Sequence, residues 1–143
     1  MKNMSQHIFR KGKKNQLNFV GDFEGLYSDT DDPWGQSGKS NDEPMNQFYA
    51  LSRRVFAKDL RCRQKHINSI IEIGCGTGET TKLISDVFKG KQVLGCDVSE
   101  KAIERARNNF PNLNFQTLNI LTDCSETKFD AIVLSNLIWY VLH

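Results

Sequence analysis

Apolar positions recur along this chain with two different periods, and the changes between them divide the chain into predicted elements. Four short runs, at residues 69–73, 92–97, 113–118 and 129–134, are continuously apolar or alternate, as strands do. Between the first three runs, apolar residues three and four positions apart predict helices, one after Gly78 and one capped by Ser99. Strands that alternate with helices predict an α/β fold with a parallel sheet.

The residues before the first strand separate into two predicted parts. Residues 1–20 show neither period and carry basic residues without an acid, so we predict a disordered basic arm. Residues 21–66 are predicted to form an N-terminal cap, in which an aromatic loop precedes a long amphipathic helix that begins near Pro44. The apolar stripe of that helix includes Phe48, Leu51, Val55, Phe56 and Leu60.

Three glycines at alternate positions, Gly74, Gly76 and Gly78, follow the first strand. Glycine lets the backbone turn sharply and approach a ligand closely, because no Cβ is in the way. The second strand ends in Asp97, nineteen residues after Gly78, where a carboxylate can accept hydrogen bonds from ribose hydroxyls. A dinucleotide fingerprint would need a glycine at position 79 or 81, and neither is glycine, so the spacing disfavours a pyrophosphate ligand.

The chain resembles the class I S-adenosylmethionine-dependent methyltransferases in two motifs. They are Glu72-Ile73-Gly74-Cys75-Gly76-Thr77-Gly78 and Gly95-Cys96-Asp97-Val98-Ser99. The resemblance implies a Rossmann-like three-layer α/β sandwich of seven strands, which this chain would contain in truncated form. Its first four strands, all parallel, would lie in the order third, second, first, fourth. Residues 67–143 would then be part of the domain that binds S-adenosylmethionine.

The same resemblance implies how the cofactor is held. The glycine loop would pass the methionine part, Glu72 would help to hold its ammonium group, and Asp97 would accept from the ribose. Asn119 stands where an aspartate commonly accepts a hydrogen bond from adenine. The implied cofactor-binding residues are Trp34, Glu72, Gly74, Cys75, Gly76, Gly78, Asp97, Val98, Asn119, Ile120 and Ser135. No catalytic residue is assigned, because methyl transfer from a sulfonium mainly requires alignment.

The cap also carries a resemblance of its own. Residues 23–34, with a Leu-Tyr pair and an Asp-Pro-Trp run, are similar to the N-terminal cap of a methyltransferase subgroup. That subgroup includes the rhizobial nodulation N-methyltransferase and related small-molecule enzymes, in which this segment folds over the cofactor. The resemblance therefore implies a small-molecule methyl acceptor and a position for Trp34 beside the cofactor.

Composition limits the other partners. The chain has 19 basic and 17 acidic residues, a net charge of +2, so we expect no nucleic-acid partner. Its four cysteines include no closely spaced pair, so we expect no metal site and reduced thiols in the cytoplasm. The start of the chain lacks the apolar core of a signal peptide, and no apolar run is long enough to span a bilayer.

The fourth predicted strand would form an apolar edge, since the family's fold has three further strands beyond it. We therefore expect either a fragment of a longer protein, or a partner chain or second copy that covers this strand, and we expect the 143 residues alone to be inactive. Two other functions stay open: a nucleotide- or NAD-dependent oxidoreductase of Rossmann type, and a non-catalytic subunit that a partner chain completes.

Overall fold

The structure, a computed structural model, describes residues 5–13, 16–38, 44–124 and 126–142. These residues form six helices and six strands. In chain order they are α1 (Ser5–Ile8), β1 (Phe9–Lys11), β2 (Leu17–Phe19), α2 (Phe23–Asp29), α3 (Pro44–Arg63), β3 (Ser69–Ile73), α4 (Glu79–Val87), β4 (Gln92–Asp97), α5 (Glu100–Asn109), β5 (Asn114–Thr117), β6 (Ala131–Leu134) and α6 (Ile138–Val141). A 3-10 turn at Gln64–His66 separates α3 from β3. None of the helices described is long and apolar enough to cross a membrane.

The main sheet has four parallel strands in the order β5-β4-β3-β6. Ile73 at the end of β3 is in register with Cys96 of β4 on one side and Leu134 of β6 on the other. The predicted α/β fold and strand order are therefore confirmed. Because all four strands run the same way, their carboxyl ends meet at one edge, where open α/β sheets bind ligands.

One face of the sheet is covered by α3, α4 and α5. The core beneath α3 and α4 comprises Leu60, Ile70, Ile84, Phe88 and Val93, and the core beneath α5 comprises Cys75, Ile103, Ala106 and Phe115. Gly95 lets α4 approach β4, since a Cβ there would lie 2.6 Å from the Thr81 hydroxyl oxygen and 2.7 Å from Phe115 Cδ1. This close packing fixes where α4 begins relative to the sheet edge.

The other face is covered less completely. Ile71, Ile73 and Cys96 pack there against side chains that follow β5 and β6, including Leu118 and Leu137. On β6, Ile132 is 66% exposed and Leu134 is 48% exposed. The apolar edge strand that the sequence predicts is therefore present, and a partner chain that covers it stays a prediction.

The beginning of the chain differs from its predicted disorder within the described residues 5–13 and 16–20. There α1 is followed by an antiparallel hairpin of β1 and β2, in which Phe9 pairs with Phe19. His7 lies 3.1 Å from carboxylate oxygens of both Asp22 and Asp29, which attaches α1 to α2, and these contacts raise the pKa of His7. Local periodicity is weak here because such short strands are stabilised by contacts distant in sequence.

The long helix α3 begins at Pro44 as predicted, but it presents a different face to the core. Ala57 and Leu60 are buried, whereas Phe48, Leu51 and Val55 of the predicted apolar stripe are 58%, 61% and 64% exposed. Phe56 and Leu60 pack against the core beneath α3 and α4, so the buried face of α3 includes only the end of the predicted stripe.

We predict that Gly95→Val lowers the free energy of unfolding by about 3 kcal/mol, because the added side chain overlaps Thr81 and Phe115 in a closely packed core. Gln92→Val is the matched control on the same strand, since Gln92 is exposed, and it should change stability by less than about 0.5 kcal/mol. Urea unfolding of the three proteins measures both values. Equal stability of Gly95→Val and the wild type would contradict the packing of α4 on β4.

Candidate functional site

The glycine loop between β3 and α4 forms the floor of the site at the carboxyl edge of the sheet. Gly74 and Cys75 donate backbone hydrogen bonds of 2.8 and 2.9 Å to the Cys96 carbonyl, which holds the loop against β4. Gly76 has a φ of 53°, and a Cβ on it would lie 2.8 Å from the Tyr27 hydroxyl oxygen. Both the backbone conformation and the space therefore require glycine at position 76.

Asp97 joins the two sequence motifs. One of its carboxylate oxygens accepts a 2.9 Å hydrogen bond from the Gly76 N–H, and the other accepts a 3.0 Å bond from the Ser99 N–H. The side chain is buried, which raises the pKa of Asp97, while the backbone donors lower it. The loop after β3 and the end of β4 are thus held together by one carboxylate.

Glu72 lies below this floor and is fully buried. Its carboxyl group accepts hydrogen bonds from the hydroxyls of Thr81 and Ser135. Burial raises the pKa of Glu72 to about 7. The hydrogen bonds from Ser135 and Thr81 act to lower this pKa, and the nearby Asp97 acts to raise it. Glu72 lines none of the three cavities described below, so Ser135 separates its carboxyl group from the open site.

A cavity of about 240 Å³ opens on the β5 side of Asp97 and is mainly apolar. It brings together five of the predicted site residues: Gly74, Asp97, Val98, Asn119 and Ile120. The Asn119 side-chain oxygen accepts a 3.0 Å hydrogen bond from the Leu121 N–H. Val98 and Ile120 are 44% and 43% exposed, so two aliphatic side chains face this space without a described cover.

A smaller, more polar cavity of about 90 Å³ lies between Asp97 and the N-terminal cap. It brings together the predicted residues Trp34, Gly74, Gly76, Asp97 and Ser135. The cap is fixed above it by contacts with α5: the Ser99 hydroxyl donates to Glu24, and Arg105 donates to the Thr30 carbonyl. The cap segment therefore lies over the glycine loop.

Two of the predicted site residues take other positions. Cys75 is buried and lines a third cavity, of about 180 Å³, on the α3 side of the loop. Gly78 precedes α4 with a φ of 95°, and a Cβ on it would lie 2.9 Å from Phe115. Gly78 lines none of the three cavities, so in this structure it serves the packing of α4.

An aromatic cluster closes the site from above, and of its members the predicted site list contains Trp34 but not Phe19, Phe23 or Tyr140. The Tyr140 ring stacks on Phe19 at a centroid distance of 5.9 Å and meets Phe23 at 5.2 Å and Trp34 at 6.3 Å. Tyr27 is buried beneath them, receives a hydrogen bond from Trp34, and its pKa is raised by burial. The density of aromatic residues in residues 19–34 is the signal in the sequence that could have indicated this cluster.

No group of three or more His, Cys, Asp or Glu side chains that could hold a metal ion occurs within residues 5–13, 16–38, 44–124 and 126–142. Three features instead lie along one sheet edge. They are the mainly apolar cavity of about 240 Å³ (the apolar slot), the Asp97 carboxylate with its backbone donors, and the more polar cavity of about 90 Å³ (the polar recess). These suit an uncharged ring, a sugar and a charged tail in that order.

Comparison with known proteins agrees with this geometry. A family model described as a methyltransferase domain matches residues 70–143. A protein of Invertebrate iridescent virus 6 that is named as a methyltransferase is 31% identical over 88 residues, which cover 62% of this chain and 32% of that protein. The trans-aconitate 2-methyltransferase of Acidovorax ebreus (strain TPSY) is 29% identical over 97 residues, 66% of this chain and 37% of the enzyme.

Among solved structures, the plantazolicin methyltransferase BpumL in complex with a triazolic desmethylPZN analog and S-adenosylhomocysteine is 26% identical with a TM-score of 0.54. The match covers 78% of this chain and 44% of that protein. The chain thus spans about a third of the length of the curated relatives it matches. The match over residues 70–143 includes more than half of the chain, and the chain belongs to the methyltransferase domain family, a family of S-adenosylmethionine-dependent methyltransferases.

Proposed function

We propose that the site binds S-adenosylmethionine and that the whole protein transfers the cofactor's methyl group to a small-molecule acceptor. The observation that carries this proposal is the hydrogen bond from Gly76 to Asp97, because it places the glycine loop and a ribose-binding carboxylate side by side. An apolar slot and a polar recess lie on either side of that contact.

The apolar slot suits adenine. Val98 and Ile120 would contact the two faces of the ring and lose their exposure to water, which favours binding. The Asn119 side-chain oxygen is engaged with Leu121, yet an amide oxygen has a second lone pair that can accept from the adenine amino group. Asp97 likewise accepts two backbone hydrogen bonds and keeps lone pairs for the ribose hydroxyls.

The polar recess suits the amino-acid end of the cofactor. Gly74 and Ser135 line it, and Ser135 connects it to the buried carboxyl group of Glu72. A positively charged ammonium group above Ser135 would favour the ionised form of Glu72. Cys75, Gly76 and Gly78 would act through the shape of the loop rather than through their own side chains.

The chemistry needs little from the protein beyond alignment. When bound, the cofactor supplies a methyl group on a positively charged sulfur, which is the reactive electrophile. The rings of Trp34 and Tyr140 line the recess, and an aromatic ring near the sulfur would stabilise its positive charge. The cap, held to α5 by Glu24 and Thr30, would limit the access of water to the space above the glycine loop.

A small-molecule acceptor is supported by the relatives, which include trans-aconitate 2-methyltransferases, and by a solved plantazolicin methyltransferase.

The described cysteines are all free thiols, two of them buried, which supports a cytoplasmic site of action. The exposed apolar side chains of β6 support a partner chain or a further part of the protein that covers this strand.

We predict that Val98→Asp weakens S-adenosylhomocysteine binding about tenfold or more, because a carboxylate in the slot must lose its hydration against the adenine ring. Ile132→Asp is the matched control, since Ile132 is also exposed but lines none of the three cavities. Isothermal titration calorimetry measures the affinities, and thermal unfolding checks that both variants fold. Unchanged affinity in Val98→Asp would contradict the placement of adenine.

We also predict that S-adenosylhomocysteine binds more tightly as the pH rises from 5.5 to about 7 and that the affinity then levels off. Below the raised pKa of about 7, Glu72 is protonated and must lose its proton to favour the ligand's ammonium group. The rise can reach about tenfold per pH unit. Calorimetry in two buffers of different ionisation enthalpy detects the released proton.

The control for this pH dependence is Glu72→Gln, which cannot ionise. Its affinity should vary less with pH over the same range. A wild-type protein and a Glu72→Gln variant with the same pH dependence would show that Glu72 does not interact with the ligand.

A further inference from the structure

One wall of the apolar slot is formed by the beginning of the chain rather than by the sheet. Phe19, Val20 and Gly21 line this cavity of about 240 Å³, together with Tyr140 of α6. The Phe19 ring stacks on Tyr140 at a centroid distance of 5.9 Å. The described residues from the start of α1 to Val20, which include β1 and β2, therefore form a lid over the slot.

Gly21 connects the lid to α2. Its φ is 65°, and a Cβ on it would lie 2.9 Å from the Phe19 ring, so position 21 requires glycine. Backbone hydrogen bonds close the lid beside this residue: Gly21 donates to the Ile8 carbonyl at 3.4 Å, and Asp22 donates to the His7 carbonyl at 2.9 Å. The freedom of a glycine at the junction lets the lid rotate relative to α2 when these contacts open.

His7 of α1 bridges the two ends of α2. One ring nitrogen, Nδ1, lies 3.1 Å from a carboxylate oxygen of Asp22, and the other, Nε2, lies 3.1 Å from a carboxylate oxygen of Asp29. A neutral imidazole has a single N–H, so it can donate to one carboxylate and must present a lone pair to the other. Both contacts are hydrogen bonds only when both nitrogens are protonated. The closed lid therefore corresponds to a positively charged His7.

The charges around His7 set the direction of its pH dependence. Among the described residues, the acids of α2 that face the ring are Asp22 and Asp29, and Arg10 of β1 acts on Asp22. The hydrogen bonds to the two carboxylates raise the pKa of His7 above its ordinary value of 6.5. Because the pKa is raised in the folded protein, the contact contributes fully at low pH and is lost as the pH rises through the raised value.

We propose that His7 is a pH-dependent latch on the lid. The protonated ring holds α1 against both ends of α2, and the lid then closes the apolar slot. When the ring loses its proton, one of the two carboxylate contacts becomes a pair of facing lone pairs, and the lid rotates open about Gly21. Histidine changes charge close to neutral pH, so a modest rise in pH increases access to the slot, whatever ligand the slot holds.

The first measurement follows the protonation of the ring. Two-bond ¹H–¹⁵N correlation spectra of the apoprotein between pH 5.5 and 9 distinguish the doubly protonated imidazole from either neutral tautomer. His7→Gln identifies the signals of His7, because it removes one of the three histidines. We expect both His7 nitrogens to stay protonated at pH 6.5 and the pKa of His7 to fall in Asp29→Asn, which keeps the ring and removes one carboxylate.

The second measurement follows the opening of the lid. Exchange of the Asp22 amide with water reports the hydrogen bond between α2 and the lid, and exchange of the Val20 amide reports a bond to Ile8 within the lid. Each rate is divided by its intrinsic value at the same pH. From pH 6 to 8.5 the protection of the Asp22 amide should fall about two- to fivefold, as expected for loss of an exposed ion pair, while that of Val20 stays constant.

Three variants test whether His7 causes this fall. In His7→Gln, which cannot titrate, the protection of the Asp22 amide should not vary with pH, and in Asp29→Asn it should vary less than in the wild type. His66→Gln is the matched control, because His66 is exposed in the 3-10 turn before β3, and this variant should behave as the wild type. Thermal unfolding checks that each variant folds.

A His7 ring that is already neutral at pH 6.5 would overturn the latch. The same pH dependence of the Asp22 amide in the wild type and in both His7→Gln and Asp29→Asn would also overturn it. Equal loss of protection at Asp22 and Val20 would show that the lid unfolds instead of rotating about Gly21, and this too would contradict the proposal. These measurements use the protein without ligand, so their outcome is separate from that of the proposed function.

Discussion

The hydrogen bond from the Gly76 N–H to the Asp97 carboxylate connects the parts of this molecule on which its site depends. It joins the loop after β3 to the end of β4, and the second Asp97 oxygen extends the connection to the start of α5 through Ser99. Because Tyr27 lies directly against Gly76, the cap is aligned with the same point. The apolar slot, the recess and the third cavity all lie around this loop.

Charge gives this edge of the sheet its chemical character. Two buried acids, Glu72 and Asp97, lie beneath the glycine loop, and each is desolvated enough for its pKa to rise. Such a site favours a ligand with positive charge, which the proposed cofactor has on its sulfur and its ammonium group. Arg53 is the charged side chain among the residues that line the third cavity, on the α3 side of the loop.

The sequence predicts the sheet and the glycine loop well because their signals are local. Continuous apolar runs, alternate glycines and a capping Ser99 each act within a few residues, and the structure has β3, β4 and α5 where these signals are. The N-terminal hairpin and the exposed face of α3 were not predictable in this way. Phe19 packs on Tyr140, and α3 buries Leu60 rather than Phe48, so both features depend on residues distant in sequence.

The most direct test of the central claim compares two ligands on one preparation of the protein. Equilibrium titrations with S-adenosylhomocysteine and with NADH ask whether the site accepts an adenosine with an amino-acid tail or a dinucleotide. The glycine spacing and the Asp97 contact predict that S-adenosylhomocysteine binds at least about tenfold more tightly. Tighter binding of NADH would contradict the assignment of this site to S-adenosylmethionine.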